Sequence, residues 1–199
     1  GQCPDSARNR GRGRPCPHGS RAGDDGAGTT LIGHFIYPYS TARWGQLVKL
    51  TGQRVLITGG AVRIGAALCR ELAAAGALVT IHHWRSAAAA RALLAEIGGD
   101  DAGHRLCVGD LRQLDKLPEL FVNGPYAVLV NNAAIFRSVP LADEPLADAL
   151  EQFAVNFWAP VALMQAFRRQ ARPGACIINL LDQRIRQVAS DGSYSLSKK

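Results

Sequence analysis

A short apolar run, Arg54–Thr58 (RVLIT), meets a pair of glycines, Gly59-Gly60, and then gives way to an alanine- and leucine-rich stretch, Ile64–Ala75, that stops at Gly76. The run has the length and composition of a strand buried on both faces. The stretch after it reads as a helix, and Gly76 is a good C-cap residue. The alternation then repeats. Leu78–His82 (LVTIH) reads as a second strand, and Ser86 can cap a helix running to about Ile97, ended by Gly98-Gly99. Arg105–Val108 is a third strand, followed by a short helix near Arg112 to Phe121. Tyr126–Val130 is a fourth strand, about Pro145 to Gln170 a long helix, and Ala175–Leu180 (ACIINL) a fifth strand. Fully buried strands separated by helices imply a parallel sheet with right-handed crossovers. The expected class is α/β, a Rossmann-like doubly wound parallel sheet.

The alternation occupies residues 51–199 of a 199-residue chain, enough for one domain with a real core. Residues 1–50 are a different kind of sequence. They are rich in Gly, Arg and Pro, with GRGRP at Gly11–Pro15, and cannot bury enough apolar area to offset the entropy of ordering. A disordered segment is expected there. Of the net charge of +7, residues 1–53 carry +4, so the basic excess sits largely outside the folded part. With no aromatic interleaved in its arginine-glycine patch, nucleic acid is not an expected partner. No apolar run approaches the length of a membrane span. Five scattered cysteines without a CxxC pair suit a reducing compartment, and a cytoplasmic location is expected.

The turn Thr58-Gly59-Gly60-Ala61-Val62-Arg63-Ile64-Gly65 lies where the first strand becomes a helix. Glycines there let the backbone approach phosphates, and the helix N-terminus offers free N–H groups and positive potential. A dinucleotide pyrophosphate fits such a place. A tight strand–helix turn without ligand is the plainer alternative.

TGGAVRIG resembles the glycine motif of the short-chain dehydrogenases/reductases. The resemblance continues in order. Asp110-Leu111 is similar to the family's adenine-contacting aspartate segment, and Asn131-Asn132-Ala133-Ala134 to its NNAG signature. Asn156 resembles the asparagine of the proton relay, and Tyr194 and Lys198 fit the catalytic YxxxK. This implies hydride transfer between a nicotinamide and a carbonyl or imine, with Tyr194 as general acid. Lys198 lies one helical turn from Tyr194, so its charge would favour the phenolate. The implied cofactor-binding residues are Thr58, Gly59, Arg63, Ile64, Gly65, Arg85, Ser86, Asp110, Leu111, Asn132, Ala133, Tyr194 and Lys198.

The chain departs from the family at Asp182, which stands where a serine is usual. A hydroxyl stabilises a carbonyl oxygen, whereas a carboxylate accepts from an amino-pyrimidine or passes a proton to a ring nitrogen. In this the chain resembles the pteridine reductase branch, which also has an arginine where Arg63 stands and an HxHRSAA segment like His82–Ala88. Phe136 matches the aromatic on which a pterin stacks. Asp182, Phe136 and Arg63 are thus the implied substrate contacts, and Asp182, Tyr194, Lys198 and Asn156 the reaction centre. The plainer readings are a capping or ion-paired carboxylate at Asp182 and a core aromatic at Phe136.

No carboxylate stands at the end of the second strand, where one would bind the ribose hydroxyls of NAD. Arg85 can pair with a 2′-phosphate and Ser86 can donate to it, so NADPH is expected over NADH. His82 and His83 read as strand-end residues, and no metal is expected. The chain ends one residue after Lys198, whereas the family continues with two more strands; a sheet incomplete at its C-terminal edge, in a fragment, is the expectation. The function implied is an NADPH-dependent reductase of a pterin- or dihydrofolate-like small molecule. The alternatives are a general carbonyl or 3-oxoacyl reductase of the same family, or an inactive dinucleotide-binding fragment. A homo-oligomer, tetramer or dimer, is implied for the full-length form.

Overall fold

The computed structural model describes residues 50–182 and 192–198. The chain divides into two units at Trp44/Gly45, and the described residues lie in the second. The disordered segment expected for residues 1–50 lies, but for Leu50, outside the described residues.

Five strands form one sheet: β1 (Arg54–Ile57), β2 (Leu78–His83), β3 (Arg105–Val108), β4 (Val128–Asn131) and β5 (Cys176–Asn179). Their order is β3-β2-β1-β4-β5 and every neighbouring pair is parallel, as the alternation of strand and helix requires. β1 pairs with β2 from Arg54↔Leu78 to Ile57↔Ile81, and with β4 from Val55↔Val128 to Ile57↔Val130. The direction of winding reverses between β1 and β4. In doubly wound sheets this switch point opens a crevice beyond the strands' carboxyl ends.

Both faces of the sheet are covered. Val55, Ile57, Val79 and Ile81 pack with Cys69 of α1 (Arg63–Ala74) and Leu93 of α2 (Ala87–Glu96). On the other face Leu56, Leu129 and Tyr126 pack with Leu163 and Phe167 of α4 (Ala159–Gln170) and with Leu117 and Leu120. Each such side chain contributes about 1.5–3 kcal/mol by leaving water. Gly76, at φ +84°, takes the left-handed step that ends α1.

Four local details differ from the sequence reading. The segment before β4 is a 3-10 helix, Leu114–Phe121, with Pro118 inside it. Pro lacks an N–H, which suits the tighter, shorter form. The fourth strand begins at Val128, because the Tyr126 N–H donates to Gln170 Oε1 (2.9 Å) instead of entering the sheet. The long helix is α3 (Leu146–Phe153), a π turn (Ala154–Trp158) and then α4. Ser86 occupies the N-cap position of α2, but its side chain makes no cap bond. Its φ −89°, ψ 45° lies outside the extended region that a capping side chain needs. α5 (Gly192–Ser197) carries Tyr194. Among the described residues no helix is long and apolar enough to cross a membrane.

Candidate functional site

Two cavities open at the switch point, and Gly59, Val62, Ala133 and Ala134 line both. The first, about 420 Å³, is bounded by the end of β2 (His82–Ser86), the loop after β3 (Asp110–Arg112), Arg137 and Glu151. The second, about 510 Å³, is bounded by Arg63–Gly65, Asn132, Phe136, Leu180–Asp182, Tyr194 and Lys198.

The glycine turn borders both. Gly59 has φ +60° and passes against Ala133, where a side chain would press on the Ala133 Cα at 3.0 Å. Gly65 leaves still less room: a Cβ there would overlap the Gly59 carbonyl and lie 2.7 Å from Asn132 Nδ2. Arg63, at φ +53°, is the positive-φ residue other than glycine among the described residues. A left-handed L-residue costs about 1–2 kcal/mol, and such outliers persist where the surrounding structure holds them. The first helical bond of α1 is Ala66 N–H to Val62 O (3.3 Å), so the N–H groups of Arg63, Ile64 and Gly65 have no intrahelical acceptor. Free donors, helix-dipole potential and absent side chains together suit an anionic group.

Thr58 and Asn132 hold the turn from behind. The Thr58 hydroxyl donates to Val130 O (3.3 Å) and accepts from the N–H groups of Asn132 and Ala133 (3.0 Å each). Asn132 Nδ2 donates to the carbonyls of Thr58 (2.9 Å) and Gly59 (3.1 Å). Thr58 is buried and lines neither cavity.

The rim of the first cavity is a charge network. Arg112 Nε donates to Asp110 Oδ1 (2.8 Å), and Arg112 Nη1 to Glu151 Oε1 (2.9 Å). Arg137 Nη2 donates to Glu151 Oε2. Hydrogen bonding by Arg112 holds the Asp110 carboxyl below the usual range, and Arg137 does the same for Glu151. Arg85, exposed, Ser86 and Leu111 also line this cavity.

In the second cavity the Tyr194 hydroxyl donates to Asp182 Oδ2 at 2.7 Å. Phe136 stands edge-on to the Tyr194 ring, centroids 4.5 Å apart at 65°. The Lys198 ammonium donates to Leu180 O (3.2 Å), and the Lys198 N–H to Tyr194 O (3.2 Å), one turn back. Burial pulls the Lys198 pKa below its ordinary value, while the charge of Asp182 opposes this.

α5 is clasped to the long helix by a ladder that the sequence reading saw only in part. Asn156 Nδ2 donates to Ser197 Oγ (3.1 Å) and to Ile135 O (2.9 Å), while its Oδ1 accepts from Ile135 N–H (2.9 Å). Asn156 is thus fully engaged behind the cavity, inside the π turn that shifts it out of regular register. One turn earlier, Gln152 Nε2 donates to Ser193 Oγ (2.8 Å) and Glu144 Oε1 (2.7 Å). The Glu144 carboxylate also takes the Ser193 N–H and hydroxyl (2.7 Å each). Burial raises the Glu144 pKa, but these bonds outweigh it and hold it low. The four-residue spacings Gln152/Asn156 and Ser193/Ser197 are the signal by which the ladder could have been found. Among the described residues no cluster of three His, Cys, Asp or Glu could hold a metal ion.

The family model for the short chain dehydrogenases matches residues 53–199. A sorbitol dehydrogenase of Cereibacter sphaeroides is 34% identical over 157 residues, 76% of this chain and 61% of that protein. A blue fluorescent protein from a metagenomic library, solved in complex with NADPH, superposes with a TM-score of 0.71 at 31% identity, covering 75% of this chain and 64% of that one. The FolM alternative dihydrofolate reductase 1 of Brucella canis, solved with NADP, superposes with a TM-score of 0.68 at 31% identity, again over 75% of this chain and 64% of that one. The chain therefore spans a little over six tenths of these relatives' length. The family match takes in all five strands, the glycine turn and both cavities, and the chain belongs to the short-chain dehydrogenase family.

Proposed function

We propose that the chain acts as an NADPH-dependent reductase of a pterin- or dihydrofolate-like ring. The observation that carries this is the Tyr194–Asp182 hydrogen bond of 2.7 Å in a cavity that Phe136, packed edge-on to Tyr194, also lines. A phenol whose proton is already directed at a carboxylate forms a donor–acceptor pair. Such a pair suits a heterocycle that offers both an amino group and a basic ring nitrogen.

The fit to a dinucleotide rests on this chain's own groups. The free N–H groups at the start of α1, flanked by Gly59 and Gly65, would receive the pyrophosphate. Arg85 and Ser86 would take the 2′-phosphate, and Asp110 and Leu111 would border the adenine in the first cavity. Lys198 would hold the nicotinamide ribose and Ala133 the floor beneath it. When bound, the cofactor supplies the hydride. Tyr194 would turn its one proton from Asp182 to the reduced ring, Lys198 would favour the phenolate left behind, Asp182 would accept from an amino group of the substrate, and Phe136 would border the ring. Asn156 acts through α5, keeping Tyr194 in place. The neighbours named for NADPH, NADP and dihydrofolate reduction support the same reading.

A second reading, a reductase of a simple carbonyl compound, is favoured by the sorbitol dehydrogenase relative, and there Asp182 would be incidental. Titration with NADPH and NADH, followed by turnover with dihydrofolate, dihydrobiopterin and a ketose, separates the two. Faster oxidation of NADPH with the pterins supports the first reading, and turnover with the ketose alone supports the second. Tight nucleotide binding without any turnover indicates a binding module.

We also infer a dimer or tetramer, because Leu146, Leu150, Phe157 and Trp158 expose an apolar face along α3, the π turn and the start of α4. The free thiols of Cys69, Cys107 and Cys176 suit a reducing compartment such as the cytoplasm.

A further inference from the structure

His82, the last residue but one of β2, is all but sealed from solvent, 2% exposed. It is a polar side chain among apolar strand residues, and both ring nitrogens are engaged. Nδ1 accepts the Gly59 N–H at 3.1 Å, and Nε2 faces Gly109 O at 3.1 Å. A backbone N–H can only donate, so Nδ1 carries a lone pair and the proton sits on Nε2, which donates to Gly109 O. The His82 carbonyl in turn accepts the Gly60 N–H at 2.9 Å. One residue therefore grips two consecutive residues of the glycine turn and the residue before Asp110.

We propose that His82 is a positioning residue: it ties the glycine turn to the Asp110 loop, and so fixes the spacing of two walls of the nucleotide cavity. The inference rests on the reading of that cavity as a dinucleotide site. It goes beyond that reading in giving the strand-end histidine a part in affinity without contact to the reacting atoms. Gly59 and Asp110 lie on different elements, β1's turn and the loop after β3, with β2 between them. The imidazole spans that gap, and a side chain with one polar atom, or none, leaves a buried N–H or C=O unpaired. Burial pushes the His82 pKa down to about 4, which keeps the ring neutral and the Nδ1 lone pair available near neutral pH.

The test compares His82→Leu, His82→Asn and, as a control for core damage on the same strand, Val79→Ala in the full chain. Asn reaches the Nδ1 position with a carbonyl oxygen and keeps the acceptor for Gly59. His82→Leu is expected to weaken NADPH binding by at least about tenfold, and His82→Asn, which keeps the Gly59 end of the tie but leaves Gly109 O unpaired, by an intermediate factor of about three to ten. Val79→Ala is expected to lower the thermal midpoint without that loss of affinity. Nitrogen-15 spectra of the wild-type imidazole are expected to show the Nε2–H tautomer, with the Gly59 amide protected from exchange. A Leu variant that binds NADPH like wild type, or Val79→Ala weakening binding as much as His82→Leu, would overturn the proposal. An Nδ1–H tautomer or a freely exchanging Gly59 amide would overturn it even if the Leu variant did not fold. If wild type binds no pyridine nucleotide, the dinucleotide reading and the affinity role fall together. The bridge itself is then still decided by the tautomer and the Gly59 amide.

Discussion

Asp182 and Tyr194 stand twelve residues apart in sequence, yet the tyrosine hydroxyl donates to the aspartate carboxylate at 2.7 Å. One lies just beyond β5 and the other on α5, so the sheet and the helix meet at this bond. Replacing Asp182 by Asn preserves shape and an acceptor but removes the charge. Turnover of dihydrofolate is expected to fall by about 100-fold, the order of a lost proton-transfer partner, with the Kd for NADPH within about threefold. Asp182→Ser is expected to shift the ratio of pterin to ketose turnover toward the ketose. Steady-state kinetics on both substrates, with nucleotide titration, checks this; an unchanged pterin rate in Asp182→Asn would contradict it.

Arg85 is exposed on the wall of the first cavity and no carboxylate stands beside it on β2. Arg85→Ala is expected to weaken NADPH roughly tenfold and to leave NADH nearly unchanged, since only the former has a 2′-phosphate to pair with a guanidinium. Calorimetric titration of both nucleotides reads the difference. Equal losses for the two would mean that Arg85 does not sense the phosphate.

A side chain at Gly65 has nowhere to go. Its Cβ would overlap the Gly59 carbonyl, a backbone atom, and sit 2.7 Å from the amide that straps the turn. Gly65→Ala is therefore expected to cost roughly 3 kcal/mol of stability and to abolish nucleotide binding. Denaturant unfolding and a binding titration on the same sample test both halves. Wild-type stability in this variant would show that the turn relaxes.

Stability should fall on mild acidification, and the sign follows from the buried histidines. Burial lowers the His82 pKa to about 4, and that of His104, whose Nδ1 accepts the Val79 N–H at 3.0 Å, is lowered too. An unfolded histidine titrates near pH 6.5. Between about pH 6.5 and 4 the unfolded chain binds more protons, so acid favours unfolding across that window. For His82 the loss approaches about 3 kcal/mol at the lower end. The depressed carboxyls of Asp110, Glu144 and Glu151 add their own loss at lower pH, as they too become protonated. Unfolding curves of wild type and His82→Asn across the window should converge as the pH falls; parallel curves would rule out the histidine term.

The parallel sheet was legible because its strands are short apolar runs punctuated by glycine, and burial on both faces leaves only one arrangement. Most of the cavity lining was legible through the family motifs: Gly59, Arg63–Gly65, Asp110, Asn132 and Ala133 carry that resemblance and line the two cavities. What escaped was contact between distant segments. The grip of His82 on Gly59 and Gly109 depends on which strand lies between which, and no local pattern encodes that. The π turn leaves no mark on an apolar period; Asn156, singled out by its resemblance to the family's proton-relay asparagine, lies within it and bonds to Ile135 and Ser197. Ser86 had the right chemistry for a cap and the wrong backbone angles.

The most direct measurement is NADPH oxidation with dihydrofolate by wild type and by Tyr194→Phe, each checked for nucleotide binding. The account predicts that wild type oxidises NADPH and that the phenylalanine variant binds it equally well but turns over at least about 100-fold more slowly. Full turnover without the phenol, or no nucleotide binding in wild type, would contradict it.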